Sequence, residues 1–80
     1  MKARVDVVLK NGVLDPQGKA INQALHHLGF NQVQDVRQGK LIEIELNETN
    51  KDTALASLKQ MAEKLLTNQV IENYRITFQD

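Results

Sequence analysis

The sequence predicts an α+β fold of βαββαβ order, a two-layer sandwich with a four-stranded antiparallel sheet and two helices on one face. Three observations carry that prediction: stretches of strand character rich in β-branched residues, two apolar stripes at helical spacing, and cap or turn residues at the junctions. The chain has 80 residues and is read as one domain over 1–80.

From Arg4 to Lys10, Val5, Val7 and Leu9 face one way while Arg4, Asp6 and Lys10 face the other, with Val8 the exception. Period two makes this the first strand. Asn11-Gly12 ends it, and Asp15-Pro16 starts a helix, because a carboxylate oxygen caps free amides and proline fits the first helical position. Ala20, Ile21, Ala24, Leu25 and Leu28 form the apolar stripe of that helix, and Gly29 closes it. Val33–Gln38 reads as a weaker strand, with Val33 and Val36 on opposite faces under strict alternation, as at a bulge or an edge. Gly39-Lys40 is the turn into a clean strand over Leu41–Asn47, with Ile42, Ile44 and Leu46 inward and Glu43 and Glu45 outward. Thr49-Asn50-Lys51-Asp52 offers two caps for a second helix carrying Ala54, Leu55, Leu58, Met61, Ala62, Leu65 and Leu66, and Asn68 is expected to end it. Val70-Ile71 is an apolar pair in the connection, and Tyr74, Ile76 and Phe78 alternate with Arg75, Thr77 and Gln79 in the last strand. The simplest packing of these elements is ferredoxin-like. The outer sheet face, with Arg4, Asp6, Val8, Lys10, Leu41, Glu43 and Glu45, is mixed in character, so it or a sheet edge is open to cover by another chain.

Ten basic and ten acidic side chains cancel, which argues against a polyanion as the main partner, whether nucleic acid or an acidic membrane surface. The absence of cysteine excludes disulfides and thiolate chemistry. No apolar run approaches the ~20 residues that span a bilayer. The Met1-Lys2-Ala3-Arg4 start enters an alternating stretch instead of a signal-peptide block, so a cytoplasmic protein is expected. A chain this short buries only ~60% of its unfolded surface, and association is the expected extra source of stability.

No catalytic constellation emerges. His26 and His27 are adjacent and point about 100° apart on a helix, so they do not share a metal and are read as solvent-facing. Glu43 and Glu45 lie ~7 Å apart on an open sheet face, where pairing with Arg4 or Lys10 is the better account than acid–base work. Gly12–Lys19 departs from a phosphate loop, with five residues instead of four between its glycines and Ala20 in place of Ser or Thr. The central strands carry no aromatics for base stacking, and Ser57 sits mid-helix without a His–Asp partner.

Three segments together resemble one family. They are Leu9-Lys10-Asn11-Gly12-Val13-Leu14-Asp15-Pro16-Gln17-Gly18-Lys19-Ala20, Val36-Arg37-Gln38-Gly39-Lys40, and Lys64-Leu65-Leu66-Thr67-Asn68-Gln69-Val70-Ile71-Glu72-Asn73-Tyr74. The chain is similar over essentially its whole length to the PurS family, the small subunit of phosphoribosylformylglycinamidine synthase in purine biosynthesis. Gln69 stands where that family often has proline, and Ala62 where cysteine is common. The resemblance implies a non-catalytic subunit that binds no cofactor, while a synthetase subunit (PurL) uses ATP and magnesium and a glutaminase subunit (PurQ) releases ammonia. It further implies a homodimer or homotetramer that holds the two enzymes together and supports ammonia transfer, with no nucleic-acid or membrane partner. The expected partner contacts are Val13, Leu14, Asp15, Gln17 and Gly18 in the first loop, Arg37, Gly39 and Lys40 in the second turn, and Asn68, Val70, Ile71, Glu72 and Tyr74 in the last connection. Arg37 and Lys40 stand out because their charges have no evident internal use, whereas Asp15, Pro16 and Gly18 are equally explained as a helix start. The alternative is an ACT-like regulatory domain of the same element order, which binds an amino acid at a dimer interface.

Overall fold

A computed structural model describes residues 1–79. Its elements are β1 (Lys2–Leu9), α1 (Pro16–His27), β2 (Lys40–Glu45), α2 (Lys51–Met61), which continues into one π-helical turn (Ala62–Leu66), and β3 (Glu72–Phe78). The strands form one antiparallel sheet in the order β2-β1-β3. β1 is paired on both sides, and its inward residues Ala3, Val5 and Val7 are the fully buried ones of the sheet. Ala3 lies opposite Ile44 and Phe78, Val5 opposite Ile42 and Ile76, and Val7 opposite Lys40 and Tyr74.

The core sits between that inner face and α2. Ala3, Val5 and Val7 from the sheet and Ala54, Leu58 and Ala62 from the helix are all buried. The helical trio recurs every four residues, and its two alanines let the helix axis approach the sheet closely around the single large side chain of Leu58. Asn50 caps α2, accepting from the Asp52 and Thr53 amides at 2.9 and 3.1 Å. Thr67 N–H donates to the Ala62 carbonyl at 2.8 Å, and this wide turn ends the helix at Leu66, two residues before Asn68.

Two features of the sequence-based fold are corrected. The sheet has three strands and not four, because Val33–Gln38 forms no strand. The i, i+3 spacing of Val33 and Val36 does not suit a pleated ladder, but it does suit a segment lying along a helix. Both valines are half-buried, and the backbone is held by side chains of α1: Asn22 Nδ2 donates to the Gln34 carbonyl at 3.4 Å, and His26 Nε2 meets the Val33 carbonyl at 2.7 Å. The helices also do not share one sheet face, since α2 packs on the sheet and α1 stands apart with the 33–38 return segment as an arm. The radius of gyration is 16.0 Å and the extents are 48 × 27 × 14 Å. A compact chain of this length has a radius of gyration near ~11.6 Å, so the protomer is elongated. The α1 stripe is correspondingly uncovered, with Ile21, Leu28 and Phe30 exposed.

Candidate partner-contact surface

Four chain segments meet at one end of the sheet, where β1 leaves and β2 and β3 begin. β1 exits through a turn in which Val13 N–H donates to the Lys10 carbonyl at 3.2 Å. Gly12 takes φ +86°, a left-handed conformation that glycine adopts without steric cost. Lys10 N–H donates to the Ile71 carbonyl at 2.8 Å, joining this turn to the approach of β3.

Asp15 staples the base of the arm. Its Oδ1 accepts from Gly18 N–H at 2.9 Å, the expected cap, and its Oδ2 accepts from Gln38 N–H at 2.8 Å on the return segment. The Gln38 amide, then the Gly18 amide, hold its carboxyl below the usual carboxylate range, against a smaller opposing effect of desolvation. Gly18 is buried, and a Cβ there would collide with the Val36 carbonyl oxygen. Helix start and return segment therefore touch backbone to backbone.

Arg37 closes the same end from the other side. Its Nη1 donates to Asn11 Oδ1 at 2.8 Å, and its Nη2 donates to the Leu9 carbonyl and to the Lys10 carbonyl at 3.2 Å. Lys40 Nζ lies 3.9 Å from Glu72 Oε2, and Glu72 Oε1 accepts from Asn68 N–H at 2.7 Å. Both cations thus have the internal partners that the sequence did not reveal. Each is paired across a long stretch of chain, which local pattern does not encode.

Between these groups lies an open cleft of ≈ 420 Å³, with Val7 and Leu9 as its apolar floor and Asp15, Gln17, Gly39, Lys40 and Glu72 around it. It unites five of the thirteen expected contacts from all three segments. Gly39 is needed there, since a Cβ would come within 2.5 Å of the Val7 carbonyl oxygen. Arg37 reaches this end through Asn11, a residue whose only sequence signal was its place before Gly12. Tyr74 lines a second cleft of ≈ 260 Å³ beside Lys10, and its hydroxyl donates to Glu63 Oε2 at 2.9 Å. That carboxylate raises the phenol pKa, with desolvation adding to the effect. Gly18 lies inside the arm base, Val13 is half-buried in the turn, and Asn68 caps the last connection by accepting from Val70 N–H at 3.1 Å. Leu14, Val70 and Ile71 line neither cleft; Leu14 is 62% and Val70 83% exposed.

The remaining candidates stay apart. His26 and His27 are exposed on α1, and the His26 ring is engaged with the return segment. The register sets Arg4 opposite Glu43 and Lys2 opposite Glu45, but Arg4 Nε makes its ion pair with Asp6 at 3.2 Å. Among the described residues no group of three or more His, Cys, Asp or Glu side chains is placed to hold a metal ion, and no helix is long and apolar enough to cross a membrane.

This geometry is shared with known proteins. The PurS family model, described as phosphoribosylformylglycinamidine (FGAM) synthase, matches residues 2–80. The phosphoribosylformylglycinamidine synthase subunit PurS of Bacillus subtilis is 50% identical over 74 residues, covering 92% of this chain and 87% of its own. That of Mycobacterium leprae is 49% identical over 76 residues, covering 95% and 92%. A crystal form of Bacillus subtilis PurS superposes with a TM-score of 0.85 at 47% identity, covering 99% of this chain and 98% of that one. A chain in a structure of PurLQS from Thermotoga maritima does so at 0.87 and 34% identity, covering 95% and 93%. A sequence with these segments, folded as a central β1 flanked by β2 and β3 under α2, belongs to the PurS family, the PurS subunit of phosphoribosylformylglycinamidine synthase.

Proposed function

We propose that this chain is the non-catalytic small subunit of a phosphoribosylformylglycinamidine synthase complex in purine biosynthesis, joining a PurL synthetase to a PurQ glutaminase. The observation that carries this reading is the convergence of the three expected segments at one sheet end. Side-chain hydrogen bonds from Asp15, Arg37 and Glu72 hold that end, and Leu14 and Val70 are left exposed beside it. A cross-linked end of this kind offers a larger protein a fixed shape at little ordering cost. The ammonia released by the glutaminase must reach the synthetase before it is protonated or lost to solvent, so the subunit serves by keeping the two sites aligned. The ATP and magnesium of the synthesis belong to the synthetase, and the complex works in the cytoplasm.

The protomer acts as a homodimer or homotetramer. Its elongation, the exposed Ile21, Leu28 and Phe30, and the half-covered Ile42 and Ile44 on β2 are complementary defects that a second copy remedies by receiving α1.

Reconstitution tests the reading. Omitting this chain from purified synthetase and glutaminase removes glutamine-dependent amidine formation, while activity with added ammonium salt survives. Equal loss of both activities overturns it in favour of a catalytic or synthetase-folding role.

A further inference from the structure

We infer that Asn11 is a deamidation site masked by the folded arm base, with Arg37 holding the mask, so that loosening this end converts Asn11 to aspartate or isoaspartate. The inference needs no partner and stands apart from the contact-surface reading.

Asn11 is the one asparagine of the chain that is followed by glycine. Loss of its side-chain amide begins when the backbone nitrogen of the next residue attacks Cγ. A glycine there puts no Cβ beside the attacking nitrogen and gives the backbone the most freedom to swing into line. Both residues are exposed to solvent water, and the Gly12 N–H makes no hydrogen bond among the described residues. In the reaction the Gly12 nitrogen gives up its proton and bonds to Asn11 Cγ. The Cγ–Nδ2 bond breaks, and that nitrogen leaves with a proton as ammonia, closing a cyclic imide. Water then opens the ring. Cleavage at Cγ restores the main chain and leaves aspartate, whereas cleavage at the backbone carbonyl carbon leaves isoaspartate, with the chain running through Cγ. Water is consumed and ammonia released, with no change of oxidation state.

The fold opposes the first step. Val13 N–H donates to the Lys10 carbonyl at 3.2 Å, Asn11 has negative φ like every described non-glycine residue, and Gly12 has φ +86°. These are the marks of a type II turn, which holds ψ of its first central residue near about +120°. That rotation carries the Gly12 nitrogen to the side of Asn11 Cα away from Cβ, out of reach of Cγ. Arg37 holds the side chain as well. Its Nη1 donates to Asn11 Oδ1 at 2.8 Å, and its Nη2 donates to the carbonyls of Leu9 and Lys10, at the entry to the same turn. The neighbouring Gln38 N–H is held by Asp15 Oδ2 at 2.8 Å. Asn11 therefore reacts only when the turn bond and the Arg37 bond open together. A guanidinium on Oδ1 also draws electrons from Cγ, as an oxyanion hole does. The turn decides the sign, because the nitrogen must come within reach before polarisation counts.

The test incubates the full chain in mildly alkaline buffer and follows Asn11 by peptide mapping, in which mass reads amide-to-acid conversion and retention time separates isoaspartate. The folded parent is compared with the parent in freshly deionised urea and with Arg37→Gln, checked for unchanged circular dichroism. The free energy of opening sets the protection. The inference expects conversion at least about tenfold slower in the folded parent than in unfolding urea, and about tenfold faster in Arg37→Gln than in the folded parent. Equal rates in the folded and unfolded parent overturn it. A folded parent that reacts faster than the unfolded one also overturns it and makes Arg37 a promoter. A folded Arg37→Gln chain that reacts no faster than the parent removes Arg37 from the mask and overturns it too. Should that variant not fold, urea below the unfolding transition decides on the parent. A rate that climbs before the global transition supports local opening of the arm base, and one that climbs only with it overturns the inference.

Discussion

Gly18→Ala tests the packing of the arm because two well-characterised effects oppose each other at that residue. Inside a helix, alanine is favoured over glycine by about 0.8–1 kcal/mol. Gly18 is the third residue of α1, so propensity alone predicts stabilisation. The structure predicts the reverse. A Cβ there would collide with the Val36 carbonyl oxygen and come within 2.7 Å of Asp15 Oδ2. Neither obstacle is the end of a flexible side chain, since Val36 contributes backbone and Asp15 is pinned by the Gly18 and Gln38 amides. Inserting a methyl into such a contact costs about 1–3 kcal/mol, with the upper half of that range applying where backbone must move. The net effect is a destabilisation of about 1–2 kcal/mol, which for a chain of this length lowers Tm by roughly 4–16 °C. Urea unfolding followed by circular dichroism, at one protein concentration to hold association constant, measures it. Hydrogen exchange should localise the loss to residues 33–38 and α1. A Gly18→Ala chain as stable as the parent, or more so, would refute the close approach of helix and return segment.

Two further predictions follow from the core and from the arm base. Leu58→Ala removes the largest fully buried side chain under β1 and leaves a cavity worth about 2–5 kcal/mol, a large share of the ~4–12 kcal/mol available to 80 residues; a urea midpoint that hardly moves would show that α2 does not cover the sheet as described. The Asp15 carboxyl has a folded pKa below its ordinary value of 3.8, so its stabilising effect is fully present above that value and is lost as pH falls through the lowered one. Asp15→Ala should therefore flatten the acid limb of stability below about pH 4; acid unfolding curves that keep the parent's slope would remove Asp15 from the arm base.

Some of this protein could be read from local chemistry. Asp15 before Pro16 marked the start of α1, Gly29 at φ +98° its exit, and Asn50 was one of two caps foreseen for α2. Alternation over Val5, Val7 and Leu9, and over Ile42 and Ile44, marked two strands and their inward faces to within two residues. Caps, turns and period-two patterns are short-range effects, and each residue carries its own signal. The three segments expected to make contacts were read as loops, whereas Gln17 and Gly18 lie in α1, Lys40 in β2, and Glu72 and Tyr74 in β3, and the bonds that join them were not legible. Arg37 looked unemployed because Asn11 is 26 residues away, and Lys40 because Glu72 lies across β1. The fourth strand failed for a related reason: Val33 and Val36 have β-branched character, yet their spacing suits a segment lying along α1, and side chains of that helix took the Val33 and Gln34 carbonyls. Sequence by itself thus determined the two helices, three of the four expected strands, the caps and the residues with apolar faces. Tertiary structure alone decided which strands pair, which helix covers the sheet and which charges are internally satisfied, because those outcomes depend on distances between residues far apart along the chain.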